Sequence, residues 1–171
     1  FRNDLHKLFE NMRILGRIYV AHEVINAQIS VPEENLGAFR ESLYSIPFLN
    51  GVRLNIAIQD DGKSFFKLKI LVRKKIVADG LDDNTFDVTN GGVHLDASAF
   101  NKLTEDPATI IVDMRNHYES EVGHFKNAIC PDTDTFREEL QVVEKLLDDK
   151  KDKNIVMYCI GGIRCEKASA W

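Results

Sequence analysis

Cysteine, proline and tryptophan are scarce in this chain: 171 residues include 3 Cys, 4 Pro and 1 Trp. Three cysteines, an odd number, do not make a disulfide framework and fit a reducing compartment, taken here as the cytoplasm. Their spacing also argues against a metal centre, since Cys130 stands alone and Cys159 and Cys165 have no second pair to complete a zinc site. No apolar run approaches the length of a membrane-spanning helix, so no membrane partner is expected. There is no basic excess either. With 22 Lys and Arg against 27 Asp and Glu the net charge is −5, so contact with RNA would have to use a local patch. No internal repeat or low-complexity tract is visible. The chain opens on Phe1 rather than Met, as expected of a piece of a longer protein, and a targeting segment can lie outside it.

What is present is an ordinary globular composition, 44% hydrophobic and 29% charged, enough for one large domain or two small ones. The most informative stretch is Cys159-Ile160-Gly161-Gly162-Ile163-Arg164. It follows the apolar run Ile155–Tyr158 and leads into a segment able to start a helix. A cysteine between a strand end and a helix N-terminus is well placed to become reactive, because loop N–H groups, the helix end and Arg164 all favour a thiolate. An ordinary thiol with pKa near 8.5 is only roughly 3% ionised at pH 7, so lowering that pKa matters. Gly161 and Gly162 leave room for the backbone to curl around a bound group. The alternative is that Cys159 is a small buried residue at a strand end.

Composition divides the chain into residues 1–80, a linker at 81–92 and residues 93–171. The acidic, Gly- and Asn-rich stretch from Asp79 to Gly92 marks the boundary. Residues 2–12 read as a helix, Arg13–Ala21 and Ile25–Val31 as strands, and Leu36, Phe39, Leu43 and Ile46 as one face of a helix. Val52–Ile58 alternates as a half-buried strand. The order helix-strand-strand-helix-strand predicts a ferredoxin-like α+β domain whose first strand would precede Phe1. From Phe65 to Lys75, Phe66, Leu68, Ile70 and Val72 face one way, and Lys67, Lys69, Arg73 and Lys75 the other. That basic face can track phosphates, or it can be a solvated edge that lysine protects from aggregation.

The second part reads as α/β. Asp96 caps a short helix, Thr109–Asp113 is a buried strand, Ala128–Cys130 a short one, and Asp134–Asp148 a helix. Asn154–Tyr158 is the strand that delivers Cys159. Alternating strands and helices predict a parallel sheet with function at the carboxyl ends of its strands.

Asp113-Met114-Arg115, Tyr118-Glu119, Gly123-His124-Phe125 and Ala128 resemble the first signature of rhodanese domains, and the loop from Cys159 to Arg164 resembles their active-site loop. A loop of this length goes, in that resemblance, with sulfur or small-substrate chemistry; the related phosphatases use a loop one residue longer. Arg17–Glu23, Ile25–Gln28 and Gly161–Ala168 narrow the match to the rhodanese-containing tRNA uridine hydroxylases. Val24 and Ile160 depart from the family's usual glycine and threonine. The resemblance implies an acylphosphatase-like α+β domain followed by a rhodanese-like α/β domain. It also implies continuation past Trp171, so that the last strand of the rhodanese sheet is expected to be missing and this piece to be inactive alone. It further implies a tRNA partner, molecular oxygen as co-substrate, no known cofactor, and 5-hydroxyuridine at the wobble position as product.

On that basis Cys159 is the expected nucleophile, Arg164 its anion stabiliser and Cys165 a second functional cysteine, with Ile160, Gly161, Gly162 and Ile163 shaping the loop. The thiolate can add to C6 of uracil, or a persulfide or sulfenate on Cys159 can be resolved by Cys165. His22, Asn26, Lys67, Lys69, Arg73 and Lys75 are candidate RNA or site contacts. Asp113, Arg115, Glu119 and His124 read as structural, and Tyr19, Phe65 and Phe66 as core. Two rival functions share these residues: a sulfurtransferase carrying a persulfide on Cys159, and a non-catalytic RNA-binding or regulatory module.

Overall fold

The structure, a computed structural model, describes residues 1–56, 64–82 and 85–171 and divides into two units, Phe1–Ile76 and Val77–Trp171.

In the first unit, helix α1 (Arg2–Asn11) turns Leu5 and Phe9 inward, four residues apart on one face. Strands β1 (Leu15–Val20) and β2 (Ile25–Ser30) form an antiparallel hairpin closed by a bond from Ala21 N–H to the Val24 carbonyl (3.0 Å). Val24 has no left-handed backbone, so valine fits this turn. After a 3-10 turn at Glu33–Asn35, helix α2 (Leu36–Tyr44) buries Phe39 and Leu43. Strand β3 (Leu68–Val72) returns parallel to β1, giving a mixed sheet in the order β2-β1-β3. Ile18 and Ile70 lie on the sheet face that packs with Leu5, Phe9, Phe39 and Leu43 in one core, consistent with an acylphosphatase-like α+β fold.

The expected strand at Val52–Ile58 does not form over residues 52–56; Ala57 and Ile58 lie outside the described residues. Val52 and Leu54 do pack on the core but Ile56 is exposed, and residues 52–56 pair with no strand among the described residues. The closing strand begins at Leu68 instead. Its inward residue is Ile70, whereas Phe66 (91% exposed) and Val72 (67%) stand in solvent. Phe66 precedes the ladder, so the alternation that reads as core has no sheet behind it at that point.

The second unit is α/β, as expected. Helix α3 (Ala97–Thr104) is capped by Asp96, which accepts from Ala99 N–H at 2.7 Å. Strand β4 (Ile110–Asp113) pairs in parallel with β5 (Ile155–Tyr158), and on its other side bonds to Ile129 through a single bridge. Between them run α4 (His117–Val122) and α5 (Phe136–Leu147), and α6 (Ile163–Ala170) follows the cysteine loop. Helix α4 was not predicted, although its capping box was present in the sequence. The Asn116 side chain accepts from the Glu119 N–H, and a Glu119 oxygen accepts from the Asn116 N–H (3.0 Å).

The core of this unit joins Val112, Met114, Phe136, Leu140 and Val143, with Cys159 and Cys165 packed against it. The stretch read as a linker contributes to it. Val77 and Leu81 pack on the core, Gly92 N–H donates to Ser169 Oγ (2.9 Å), and buried Asp79 pairs with buried Lys167 of α6.

Candidate active site

Strand β5 ends at Tyr158, and Cys159 stands at its carboxyl end, next to that of β4. The chain then turns through Ile160, which is 58% exposed, to Gly161 and Gly162, with φ of 78° and 88°. Both glycines are left-handed, and a Cβ on Gly161 would meet nothing within 4 Å. Conformation, not crowding, therefore calls for glycine there. The two turns aim the first N–H groups of α6 back at the Cys159 sulfur.

Four groups stabilise a thiolate on Cys159 and lower its pKa to about 6. The largest contribution is a hydrogen bond from the Cys165 thiol, which outweighs the opposing effect of burial; the N–H groups of Cys165 and Arg164 and the Arg164 charge add to it. The thiolate form of Cys159 is thereby favoured at neutral pH. Cys165 shows the reciprocal effect: donating its proton to Cys159, and buried, it is held far above the usual thiol range. One sulfur takes the thiolate form more readily and the other keeps its proton.

Arg164 is fixed by Glu119, which accepts from its two terminal nitrogens at 2.7 and 3.0 Å. Both side chains are about 15% exposed, 14% and 15% respectively. The bond from Arg164 holds the Glu119 carboxyl below the usual carboxylate range despite burial. This bidentate pair ties α4 to the cysteine loop and gives Glu119 a defined part in the site, whereas Glu166 pairs with His94 (2.9 Å).

Asp113 forms a separate, supporting network. Burial raises its pKa, but bonds from Arg115 Nε (2.8 Å), the Arg115 terminal nitrogen (2.7 Å) and Tyr158 Oη (2.7 Å) outweigh it, and the net shift is downward. Tyr158, pushed up to about 12 by burial and by this bond, keeps its proton and also accepts from Phe125 N–H (3.2 Å). Arg115 lies over the Tyr158 ring and reaches the Gly123 carbonyl (2.6 Å), while His124 Nδ1 meets the Ser120 carbonyl (3.0 Å). These contacts hold the ends of β4 and β5 together. Cys130, raised by burial, remains a thiol.

One residue of this neighbourhood was missed by sequence reasoning. Glu139 on α5 is fully buried, and neither carboxylate oxygen has a hydrogen-bond partner among the described residues. Burial pushes its pKa up to about 8, against the attraction of Arg164 and together with repulsion from Asp113, Cys159 and Glu119. The available signal was position: Glu139 falls within the stripe Phe136, Leu140, Val143.

The remaining candidates belong to the first unit. His22 lies in the β1–β2 turn and Asn26 in β2. On β1 and β3, Arg17 sits beside Lys69 and Tyr19 beside Leu71, while Arg73 lies over the Tyr19 ring at 5.6 Å. Lys67, Lys69 and Arg73 are exposed and share a face with Arg17 and Tyr19; Lys75 follows the strand. That face is opposite the one bearing Ile18 and Ile70. Among the described residues there is no cluster suited to a metal ion, and no helix is long and apolar enough to cross a membrane.

Residues 1–76 match the family described as the UPF0176 acylphosphatase-like domain, and residues 96–171 match the rhodanese-like domain. Among curated proteins the chain is 58% identical over its full length to tRNA uridine(34) hydroxylase of Photorhabdus laumondii, covering 49% of that protein. It is 57% identical to the protein of that name from Enterobacter sp. strain 638, with 99% of this chain and 49% of the relative aligned. A Leptospira interrogans protein of the same name is 56% identical, with 99% and 46% aligned. The chain spans about half the length of the curated relatives it matches. It belongs to the family that joins a UPF0176 acylphosphatase-like domain to a rhodanese-like domain and whose curated relatives are named tRNA uridine(34) hydroxylase.

Proposed function

We infer that this chain is part of a cytoplasmic enzyme that hydroxylates the wobble uridine of tRNA to 5-hydroxyuridine with molecular oxygen, using Cys159 as nucleophile. The observation that carries this reading is the placement of Cys159 at the carboxyl end of β5, with the Cys165 thiol, the first N–H groups of α6 and Arg164 around it, in a chain so similar to proteins named for that reaction.

Cys159 and Cys165 together satisfy the chemistry. The thiolate adds to C6 of uracil and the electron pair moves onto C5 and O4 as an enolate. Oxygen joins at C5 as a hydroperoxide, and the Cys165 thiol takes its outer oxygen to become a sulfenic acid. Loss of the C5 proton and of the Cys159 thiolate restores the ring double bond. The released thiolate attacks the sulfenic acid, giving a disulfide and water. One uridine, one O2 and two thiols thus become 5-hydroxyuridine, water and one disulfide, which an external dithiol reduces before the next turnover. Arg164, held by Glu119, stabilises the enolate and peroxide charges.

The open face of the first unit serves as the RNA surface. Arg17 beside Lys69 places like charges on neighbouring strands, an arrangement that weakens a sheet and favours a polyanion. Tyr19 adds a stacking surface on this face; Lys67 and Arg73 extend the charge. His22 and Asn26 stand at the hairpin end, and Lys75 beyond β3, as further contacts.

Nucleoside mass spectrometry of tRNA from cells lacking the full-length protein tests this. Loss of 5-hydroxyuridine, restored by wild type and not by Cys159→Ser, is the expected result. Unchanged 5-hydroxyuridine with loss of persulfide transfer would instead make Cys159 the carrier of a sulfurtransferase.

A further inference from the structure

Glu139 has no part in the steps above, yet it occupies an unusual position. It sits in the buried stripe of α5, and Phe136, Leu140 and Val143 of that stripe share a core with Cys159 and Cys165. Its side chain is fully buried and neither oxygen is hydrogen-bonded among the described residues. An ionised carboxylate left without a partner in such a place is costly, so buried carboxyl groups of this kind retain their protons or serve a neighbouring charge.

The charged and titratable groups that act on it come from every element of the site. Asp113 stands at the end of β4, Glu119 on α4, Cys159 after β5, and Arg164 and Cys165 on α6. Arg164 is already neutralised by Glu119 and Asp113 by Arg115. An additional negative charge on Glu139 would therefore fall on the Cys159 thiolate. We propose that Glu139 is a positioning residue for the cysteine site: kept buried and neutral, it lets Cys159 carry the site's negative charge, and its ionisation makes the loop hostile to anions.

The order of ionisation follows from burial and charge. Cys159 loses its proton at about 6 and Glu139 at about 8, each repelling the other's charge. Between those values the site holds one thiolate and one neutral acid. Above them it holds two negative charges, and an incoming enolate, peroxide or anionic substrate is disfavoured. The inference rests on Cys159 being the reactive sulfur, but not on the identity of the substrate.

Site-resolved alkylation of Cys159 in the full-length protein tests the idea, with neutral iodoacetamide and anionic iodoacetate as probes. In the wild type the ratio of iodoacetate to iodoacetamide rates falls about fivefold between pH 7 and 9, as one further negative charge at partly screened distance requires. In Glu139→Gln, which keeps the size and the neutral state, the ratio stays flat while the onset of alkylation near pH 6 is retained. A wild-type ratio that is flat, or a fall that persists in Glu139→Gln, overturns the proposal.

Infrared difference spectra of the wild type between pH 7 and 9 supply a reading that needs no variant to fold. A buried carboxylic C=O band should disappear over that interval, and its absence at pH 7 would also refute the idea. Loss of the low-pH alkylation step in the wild type would instead count against the reactive thiolate itself, which separates the two failures.

Discussion

Cys165 gives Cys159 its first stabilising bond, and the two substitutions that probe it differ by a single hydrogen-bond donor. In Cys165→Ala the midpoint of Cys159 alkylation by iodoacetamide moves up toward the ordinary thiol range near 8.5, whereas Cys165→Ser, which retains an O–H donor, keeps much of the depression. The sign is fixed by chemistry: thiolate appears as pH rises through the pKa, so the alanine variant is the less reactive at pH 7. Glu139 also has a stability cost with a definite sign. Its carboxyl is raised in the fold, so the fold is most stable below the unfolded value near 4.5 and loses stability as pH climbs toward 8. The full effect is on the order of 4 kcal/mol. Glu139→Gln should recover part of it, raising the melting temperature at pH 8 and leaving it little changed at pH 4. Cys159, Arg164 and Cys165 were legible in the sequence because chemistry-bearing residues flanked paired glycines. Glu139 was not, because a carboxylate in an apolar stripe resembles a solvated helix position until packing places it. Glu119 was visible as a motif residue, but its partner was not, since the bond to Arg164 spans 45 positions.

At the level of elements, the loop and the start of α6 act as one unit. Gly162 precedes the helix in a left-handed conformation, and the N–H groups of Arg164 and Cys165 reach Cys159 because of that turn. Gly162→Ala imposes about 1 kcal/mol of backbone strain and moves those donors. The expected outcome is a small loss of stability in urea unfolding together with a clear fall in Cys159 alkylation at pH 7. A loss of stability alone would make the loop a mere connector. Sequence patterning located both sheets' principal strands and five of the six helices among the described residues. It failed at Val52–Leu54, where inward side chains alternate without a strand beside them among the described residues, and at α4, which is too short for a periodic signal. Phe66 was read as core for a related reason, since alternation continues past the end of the ladder.

For the whole molecule the net charge of −5 conceals a basic face on the first unit. Reversing two of its charges, Lys69→Glu with Arg73→Glu, should weaken tRNA binding of the full-length protein by more than about tenfold at low salt and flatten its salt dependence. Cys159 alkylation should be unchanged, since those residues lie in the first unit and the cysteine in the second. A fall in alkylation without a change in binding would reverse those assignments. Composition leaves any RNA contact to a local patch. It could not show that Arg17 and Lys69 meet, because their adjacency is created by the parallel pairing of β1 with β3.

The pairing of Asp79 with Lys167 determines where the second unit can be cut. Lys167 lies on α6, which follows the Cys159 loop, and is fully buried, and its counter-charge comes from a stretch that composition assigns to a connector. A rhodanese-like piece trimmed to begin at residue 93 would remove the buried counter-charge of that lysine, a defect of about 3–5 kcal/mol, large against the stability of a small domain. Cleavage on either side of Asp79 is therefore not equivalent: removal up to Ile76 keeps the ion pair, and removal beyond Asp79 takes away the buried partner of α6.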